Sequence, residues 1–392
     1  MDEAFDSYGE DEDEAKEAVA GELRSIDRDW EAVAGLLPWQ WQIKASELGA
    51  VQRRLRGFPS IEALLRVLLI HLADGCSLRE TAVRAHAGGL AAVSDVALLK
   101  RLRACGPWFQ WMVRQLSANM ALPLSEGMLL AGRRVRLVDG TSVCEPGATG
   151  STWRLHYALN LQTLSCEEVH VSEADEGESL TRFEVRAGDV IMADRGFARR
   201  RGLRHVVQHG ADVVLRTSLS NLPLQDRNGR PLELLPLLRT LKVGQAGDWP
   251  AQTADAKGVI ALRVCAYRKT EAQASSALRA IEREAVKKRR KVKPETLEAA
   301  GYVIVLTTLD TPDAASVMEL YRRRWQIELA FKRLKTLLQL GHLKKIDRDG
   351  ARAWLQGKIL VACLIETLIF TAERFSPWGY RPSAPAAPLP VA

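Results

Sequence analysis

Between residues 133 and 218 the chain carries five apolar, β-branched runs: "RRVRLVDGTSV", "STWRLHYALNL", "EEVHVSEA", "GDVIMADRGFA" and "ADVVLRTS". The first three follow one another as a meander of strands. The fourth and fifth are separated by a helical stretch, "RRGLRHVVQHG". Strands that first run on and then alternate with helices predict a mixed α/β sheet. Two of the runs end in an aspartate in a turn-permitting context, Asp139 in "DGT" and Asp194 in "DRG". Strand ends of such a sheet are where sites are built.

The flanks have a different texture. Residues 1–26 are an acidic lead expected to be disordered. Residues 27–128 read as helical throughout. Pro59-Ser60 opens one helix, and Ser77 and Ser94 are candidate N-caps of two more, separated by the Gly88-Gly89 break. Two short helices about a glycine turn, the second carrying Lys100, Arg101 and Arg103, resemble a helix-turn-helix. An ordinary helical bundle with basic edges gives the same pattern. The sheet domain is expected over 129–374, interrupted by an insertion at about 219–300 that holds the basic run "KKRRKVK". "GESLTRFEV" is expected to begin a short helix, and "ARAWLQGKILVACLIETLIF" to pack on the sheet. Residues 375–392 form a Pro/Ala-rich tail.

Charge narrows the partner. The net charge is +7, but residues 1–31 carry thirteen acids and three bases, which leaves about +17 on the remainder. A body that basic points to a polyanion, most often nucleic acid, although a merely soluble basic surface remains the alternative. The six cysteines are scattered without a CxxC pair, so neither a zinc site nor a disulfide framework is supported. With an acidic N-terminus and no apolar run able to span a bilayer, a cytoplasmic protein without a membrane partner is expected. No phosphate-loop or dinucleotide glycine pattern occurs, so no nucleotide cofactor is expected. His205 and His209 have the i,i+4 spacing of a metal pair but lack an accompanying acid, and read as packing or surface histidines.

One stretch joins charge to chemistry. "YRRRWQIELAFKRLK", Tyr321–Lys335, sets Glu328 alone among six basic residues. On a single helix Tyr321, Arg324, Glu328, Lys332 and Lys335 fall within an arc of about 80°, and Ile327, Phe331, Leu334 and Leu338 form an apolar stripe beside it. The plain reading is a surface helix with a Glu328–Lys332 ion pair. The functional reading puts Glu328 beside Asp139 and Asp194. Three close carboxylates repel unless cations neutralise them, and such oxygen ligands suit Mg²⁺ or Mn²⁺. Two such ions can activate a water or a 3′-hydroxyl and stabilise the leaving oxygen of a phosphodiester. The cations then hold phosphates. Arg195, Arg216, Arg154 and His156 lie near this predicted site, where a DNA contact and a structural ion pair are both open readings.

Tyr321-x2-Arg324-x3-Glu328-x6-Lys335 resembles the Tyr-Arg-Glu-Lys signature of the insertion-sequence-four group of DDE transposases. "VDGTSV", "PGATGSTWRLHYALNL", "GES" at 177–179, "GDVIMADRGFA" and "GADVVLRTS" agree with it in order and placement. The resemblance covers roughly 130–370. It implies a ribonuclease H-like core with a β-rich insertion, preceded by an all-helical DNA-binding domain. It implies Asp139, Asp194 and Glu328 as ligands of two Mg²⁺ or Mn²⁺ ions, and Tyr321, Arg324 and Lys335 on DNA phosphates, with Lys332 on the same face. The implied enzyme is a cut-and-paste transposase that binds terminal inverted repeats through residues such as Lys100 and Arg101. It would cleave and join DNA strands as a homodimer on DNA, at the nucleoid. A silent DNA-binding relic that represses its own element is the alternative. One departure stands out: the family usually writes DRGY at the second aspartate, and Phe197 makes it DRGF here.

Overall fold

The computed structural model describes residues 30–51, 54–119, 130, 132–147, 150, 152–336, 338–341, 343 and 347–375. The acidic lead and all but the first residue of the Pro/Ala-rich tail lie outside them. The chain divides into two compact units, one of residues up to 120 together with those from 338, the other of residues 121–337.

The first unit opens with helices α1 (Trp41–Glu47), α2 (Ile61–Ala73), α3 (Leu78–Ala87), α4 (Asp95–Ala104) and α5 (Gly106–Asn119). Serine side chains start three of them as the sequence predicts. Ser60 accepts from the Ala63 amide, Ser77 from Glu80 and Ser94 from Ala97, at 3.0, 3.1 and 3.2 Å. Each satisfies an amide that the first helical turn leaves unpaired. Gly89, at φ 66°, turns the chain after α3 in a conformation that favours glycine. Trp108 of α5 stacks on Trp41 at 6.0 Å and donates its indole N–H to the Trp41 carbonyl at 2.8 Å.

The second unit is built on strands β1 (Val135–Val143), β2 (Trp153–Asn160), β3 (Cys166–Glu173), β4 (Val190–Ala193), then helix α6 (Arg200–Gln208) and strand β5 (Asp212–Arg216). β1, β2 and β3 pair antiparallel, while β1, β4 and β5 pair in parallel, giving the order β3-β2-β1-β4-β5. This is the mixed sheet that the sequence predicts, in the ribonuclease H-like arrangement that the family resemblance implies. Every residue of β4 is buried, as is the first half of β1, because a central strand needs apolar residues on both faces. "GESLTRFEV" forms only a 3₁₀ turn, Leu180–Arg182, because Phe183 returns to extended backbone and is buried.

The insertion comprises helix α7 (Leu234–Arg239), strands β6 (Ala246–Asp255) and β7 (Gly258–Arg268), and helices α8 (Glu271–Lys287) and α9 (Pro294–Ala299). The chain then re-enters the sheet as β8 (Tyr302–Thr307), antiparallel to both β5 and β7. The β6–β7 hairpin thus lengthens the core sheet to eight strands. Helix α10 (Ala314–Arg322), capped by Asp313, packs on β6 and β7. Helix α11 (Trp325–Thr336) packs on β1, burying Ile327, Ala330, Phe331 and Leu334.

Helix α12 (Arg348–Phe375) belongs to the first unit. The sequence expectation placed it on the sheet and within a domain running to 374. Instead it packs along α5, α4 and α2. Gly357 admits the close approach: a Cβ there would stand 2.5 Å from a Leu72 methyl and 3.1 Å from the Phe109 ring. An apolar helix face specifies burial, not the partner that supplies it. Among the described residues no helix is long and apolar enough to cross a membrane.

Candidate active site

The parallel pairing of β1 with β4 sets Val138 opposite Ala193. Asp139 and Asp194 are the next residues, so they stand side by side where the two strands end their pairing. Each turns one carboxylate oxygen to its own chain: Asp139 accepts from the Gly140 amide at 2.7 Å, and Asp194 from Gly196 at 2.8 Å. Asp194 thereby caps a 3₁₀ turn, Arg195–Phe197. Phe197 is buried in the core cluster, so the position usually held by tyrosine is filled by an apolar ring.

Glu328 comes from the other side, on α11. This helix is fixed by its apolar stripe, in which Phe331 meets the Tyr157 ring edge-on at 5.7 Å. Tyr157 is the β2 partner of Asp139. Arg324 closes the gap. Its Nη1 donates to Asp139 Oδ2 at 3.1 Å, and its Nη2 donates to Glu328 Oε1 in a short ion pair. Arg324 and Asp139 are 15% and 17% exposed while Glu328 is 59% exposed, so the Asp139 arm is the desolvated one.

The signature residues are therefore not on one helix. The α-helix stops at Arg322 and restarts at Trp325, with a turn at Arg323 and Arg324 between. Tyr321 ends α10, and Arg324 lies in the turn. The Glu328–Lys332 pair of the plain reading is replaced by the pair with Arg324. Lys332 is exposed and Lys335 half-buried along α11, and neither has an ion-pair partner among the described residues.

The electrostatics follow from the crowding. Burial pushes the Asp139 carboxyl up to about 6, helped by Asp194 and Glu178 and opposed by the Gly140 amide and Arg324. Burial likewise pushes the Tyr321 phenol up to about 12. That phenol is 7% exposed and stands among Arg324, Arg216 and Asp194, yet its oxygen makes no hydrogen bond of normal geometry. Among the described residues no three histidine, cysteine or carboxylate groups converge closely enough to hold a metal ion as they stand. Two of the three acids are instead arranged about the Arg324 guanidinium.

Glu178 is the residue that sequence reasoning missed. It is half-buried, and its carboxylate touches the glycine that follows Asp139 and the glycine two residues after Asp194. The only trace in the sequence is the tripeptide "GES". Elsewhere, Lys100 is exposed on α4, while Arg101 donates to the Arg54 carbonyl at 2.6 Å and Arg103 pairs with Asp347 at 2.7 Å. Arg154 donates to the Glu176 carbonyl. His156 is buried against Ser172, and His205 and His209 bond backbone carbonyls.

Comparison with known proteins identifies the family. Residues 130–364 match the family model described as "Transposase DDE domain". The chain is 34% identical over 358 residues to the putative transposase InsL for insertion sequence element IS186A of Escherichia coli K12, covering 89% of this chain and 96% of that one. It is 34% identical over 359 residues to the transposase for insertion sequence element IS421 of Escherichia coli, with the same coverage. A more distant relative, the transposase for IS231F of Bacillus thuringiensis subsp. israelensis, is 24% identical over 203 residues, 47% of this chain and 43% of that one. Among solved structures, the piggyBac transposase synaptic complex with hairpin DNA aligns with 87% of this chain and 72% of its own at 10% identity and a TM-score of 0.43, too slight a likeness to bear on the fold. With the family model spanning most of the sheet unit and near full-length relatives at one-third identity, the chain belongs to the DDE transposase family, among the transposases of bacterial insertion sequences.

Proposed function

We propose that Asp139, Asp194 and Glu328 are the acidic triad of this transposase and hold two divalent ions, Mg²⁺ or Mn²⁺. The observation that carries the reading is Arg324. A guanidinium already bridges a strand carboxylate and a helix carboxylate beside a second strand carboxylate. The donor set is all oxygen and its negative charge is already gathered about a cation, which suits a hard divalent ion. When bound, such ions supply Lewis-acid stabilisation of the attacking and leaving oxygens in phosphodiester displacement.

The chain's own residues do the rest. Asp139 and Asp194 are held by hydrogen bonds from the Gly140 and Gly196 amides, so their other oxygens are pre-oriented, that of Asp139 onto Arg324. Arg324 lies where it can turn from the carboxylates to a DNA phosphate, and its planar fork suits that exchange. The Tyr321 hydroxyl, buried in a cationic setting beside Arg324, donates to a phosphate oxygen. Lys335 and Lys332 extend the cationic face along the strand backbone. In the helical unit, Lys100 and Arg101 contact the terminal inverted repeats. The protein acts as a homodimer on DNA in the cytoplasm, cutting the element out and joining its 3′-hydroxyls to a target.

Cleavage of a labelled duplex carrying the element's terminal repeat, in Mg²⁺, Mn²⁺ or EDTA, tests the reading. Metal-dependent nicking at the repeat boundary is expected, with a loss of at least a hundredfold in Asp139→Ala and Glu328→Gln. Wild-type rates in Glu328→Gln would remove that residue from the triad. Specific binding without nicking in any metal would move the function to repression of the element.

A further inference from the structure

A second group of cations rises from the edge of the sheet that carries Asp139 and Asp194. β8 runs antiparallel to β5, with Val305 opposite Arg216, and β7 runs antiparallel to β8, with Arg268 opposite Tyr302. The end of β7 and the start of β8 therefore lie at the same edge as the two aspartates. From there the chain leaves as α8, turns, and returns as α9. The base of this helical hairpin is closed by the Lys269 amide, which donates to the Gly301 carbonyl at 2.9 Å. Its turn is the basic run 287–293.

The hairpin is long enough to reach the site. β7 is three places from β4 in the order β4-β5-β8-β7, about 14 Å at ordinary strand spacing. α8 has 17 residues, which is about 25 Å of helix. Near its end Glu284 pairs with Lys288 at 2.6 Å and with Arg290 at 3.7 Å. Lys288 first, then Arg290 and Arg195, hold the Glu284 carboxyl below its usual range. Arg195 is the residue after Asp194, so the end of α8 lies by the turn that carries the second acid.

Charge at the tip is unbalanced. No acid occurs between Glu284 and Glu295, while the run 287–293 holds six cations, all exposed. Among the described residues Lys287, Arg289, Lys291 and Lys293 have no ion-pair partner, and neither have the exposed Arg195 and Arg199. Arg289 adopts the left-handed φ of 48° that glycine ordinarily fills at a helix end. Along α8 only Ala285 is buried, so core packing does not account for the hairpin. A solvated face would interleave acids with these cations. Like charges this close repel one another unless a polyanion joins them.

We propose that the hairpin tip, residues 287–293, holds the phosphate backbone of the target duplex into which the element is joined, and leads it past Arg195 to the acids. The proposal rests on the reading of the acids given above. Two features favour the target over the element's own end. Arg324 and Glu328 reach the acids from the α11 side, on β1, whereas the hairpin approaches from β7, past Asp194. The tip also offers charge alone, and lysine and arginine grip phosphates whatever the sequence, which suits a target of any sequence. In joining, the element's 3′-oxygen bonds to a target phosphorus as the bond to the target's own 3′-oxygen breaks. The attacking hydroxyl loses its proton to solvent, and the released oxygen takes one up. The target phosphate must then lie at the same acids as the element's end, on a support of its own.

The test gives the full-length protein a pre-cut element end with a 3′-hydroxyl and an unrelated supercoiled plasmid. Joining is compared with nicking of the labelled terminal-repeat duplex, with circular dichroism as the check on folding. In the double variant Lys287→Gln, Lys291→Gln, joining is expected to fall about tenfold while nicking stays within about twofold of wild type. The log–log salt slope of plasmid binding by the end-bound protein should flatten by about 2, because two phosphate contacts are lost. The pair Lys287→Arg, Lys291→Arg should restore joining, since charge is what the tip supplies. An equal fall in nicking and joining would assign the tip to the element's end, and unchanged joining would leave it a solvated face; either result overturns the proposal. A wild type that nicks in no metal would overturn the reading of the acids and the target track with it.

Discussion

Arg324 shows how much one side chain can set. It neutralises Asp139 from a site 15% exposed and tethers Glu328, which is otherwise open to water. An arginine suits this because its two terminal nitrogens diverge and stay charged. His156 is the counterpart on the neutral side. It pairs with Gly140 in the β1–β2 register and is fully buried. Burial first, then Arg182, Arg154 and His170, hold its pKa down to about 4. The folded state therefore resists protonation of a ring that the unfolded chain protonates near 6.5. That contribution is complete above about 6.5 and is lost as pH falls toward 4, by about 3 kcal/mol. Asp139, raised to about 6, works in the opposite sense over the same interval. The difference between wild type and His156→Gln isolates the histidine. Urea midpoints are expected to fall more steeply with acid in wild type than in the variant between pH 6.5 and 4, and parallel curves would refute it.

At the scale of elements, the break between α10 and α11 is what makes the signature work. A continuous helix would carry Tyr321 and Glu328 on one rod. The turn at Arg323 and Arg324 instead lets α10 lie on the β6–β7 hairpin while α11 lies on β1. The entry to α10 is tied down by Arg263 of β7. Its Nη1 donates to the carbonyls of Leu309, Asp310 and Pro312 at 2.8, 3.1 and 3.0 Å, and its other nitrogens form a short ion pair with Asp248 of β6. The hairpin of the insertion thus fixes the loop that leads to α10 and α11. Arg263→Ala is expected to cost about 1–3 kcal/mol and to lower cleavage with it. Arg263→Lys should recover only part, because one ammonium cannot serve both the carbonyls and Asp248. Urea unfolding and the labelled-duplex assay check this together. An unshifted midpoint in Arg263→Ala would show that the loop holds without its clip.

At the scale of the molecule, the chain leaves the helical unit at about residue 120, completes the sheet unit, and returns at 338. The helical unit is thus closed by its last helix, α12. Gly357 is the tight point of that closure, against Leu72 and Phe109. Gly357→Val is expected to overpack the crossing and destabilise the helical unit by about 1–3 kcal/mol. Trp41, Trp108 and Trp354 lie in this unit and Trp153, Trp249 and Trp325 in the other, so tryptophan fluorescence during urea unfolding is read against wild type for a shift in the helical unit's share of the signal. A midpoint equal to wild type would mean that α12 can shift without loss.

Much was already fixed along the chain. Strand and helix alternation predicts the mixed sheet because side-chain period is a local property. The serine caps are legible for the same reason: a cap acts over three residues. Asp139 and Asp194 stand out in the sequence because each is the first acid after an apolar run. The burial of Ile327, Phe331 and Leu334 follows from their helical spacing. Other features depend on residues brought together from far apart in sequence. Period names the buried face of α12 but not the helices that bury it. Helical spacing alone hides the break at Arg323, which exists because α10 and α11 dock on different strands. That Arg324 rather than Lys332 takes Glu328 is settled by Asp139, 185 residues away. The place of Glu178 is visible only once Gly140 of β1 and Gly196 of the turn after β4 are brought together, because the space for it belongs to neither segment alone.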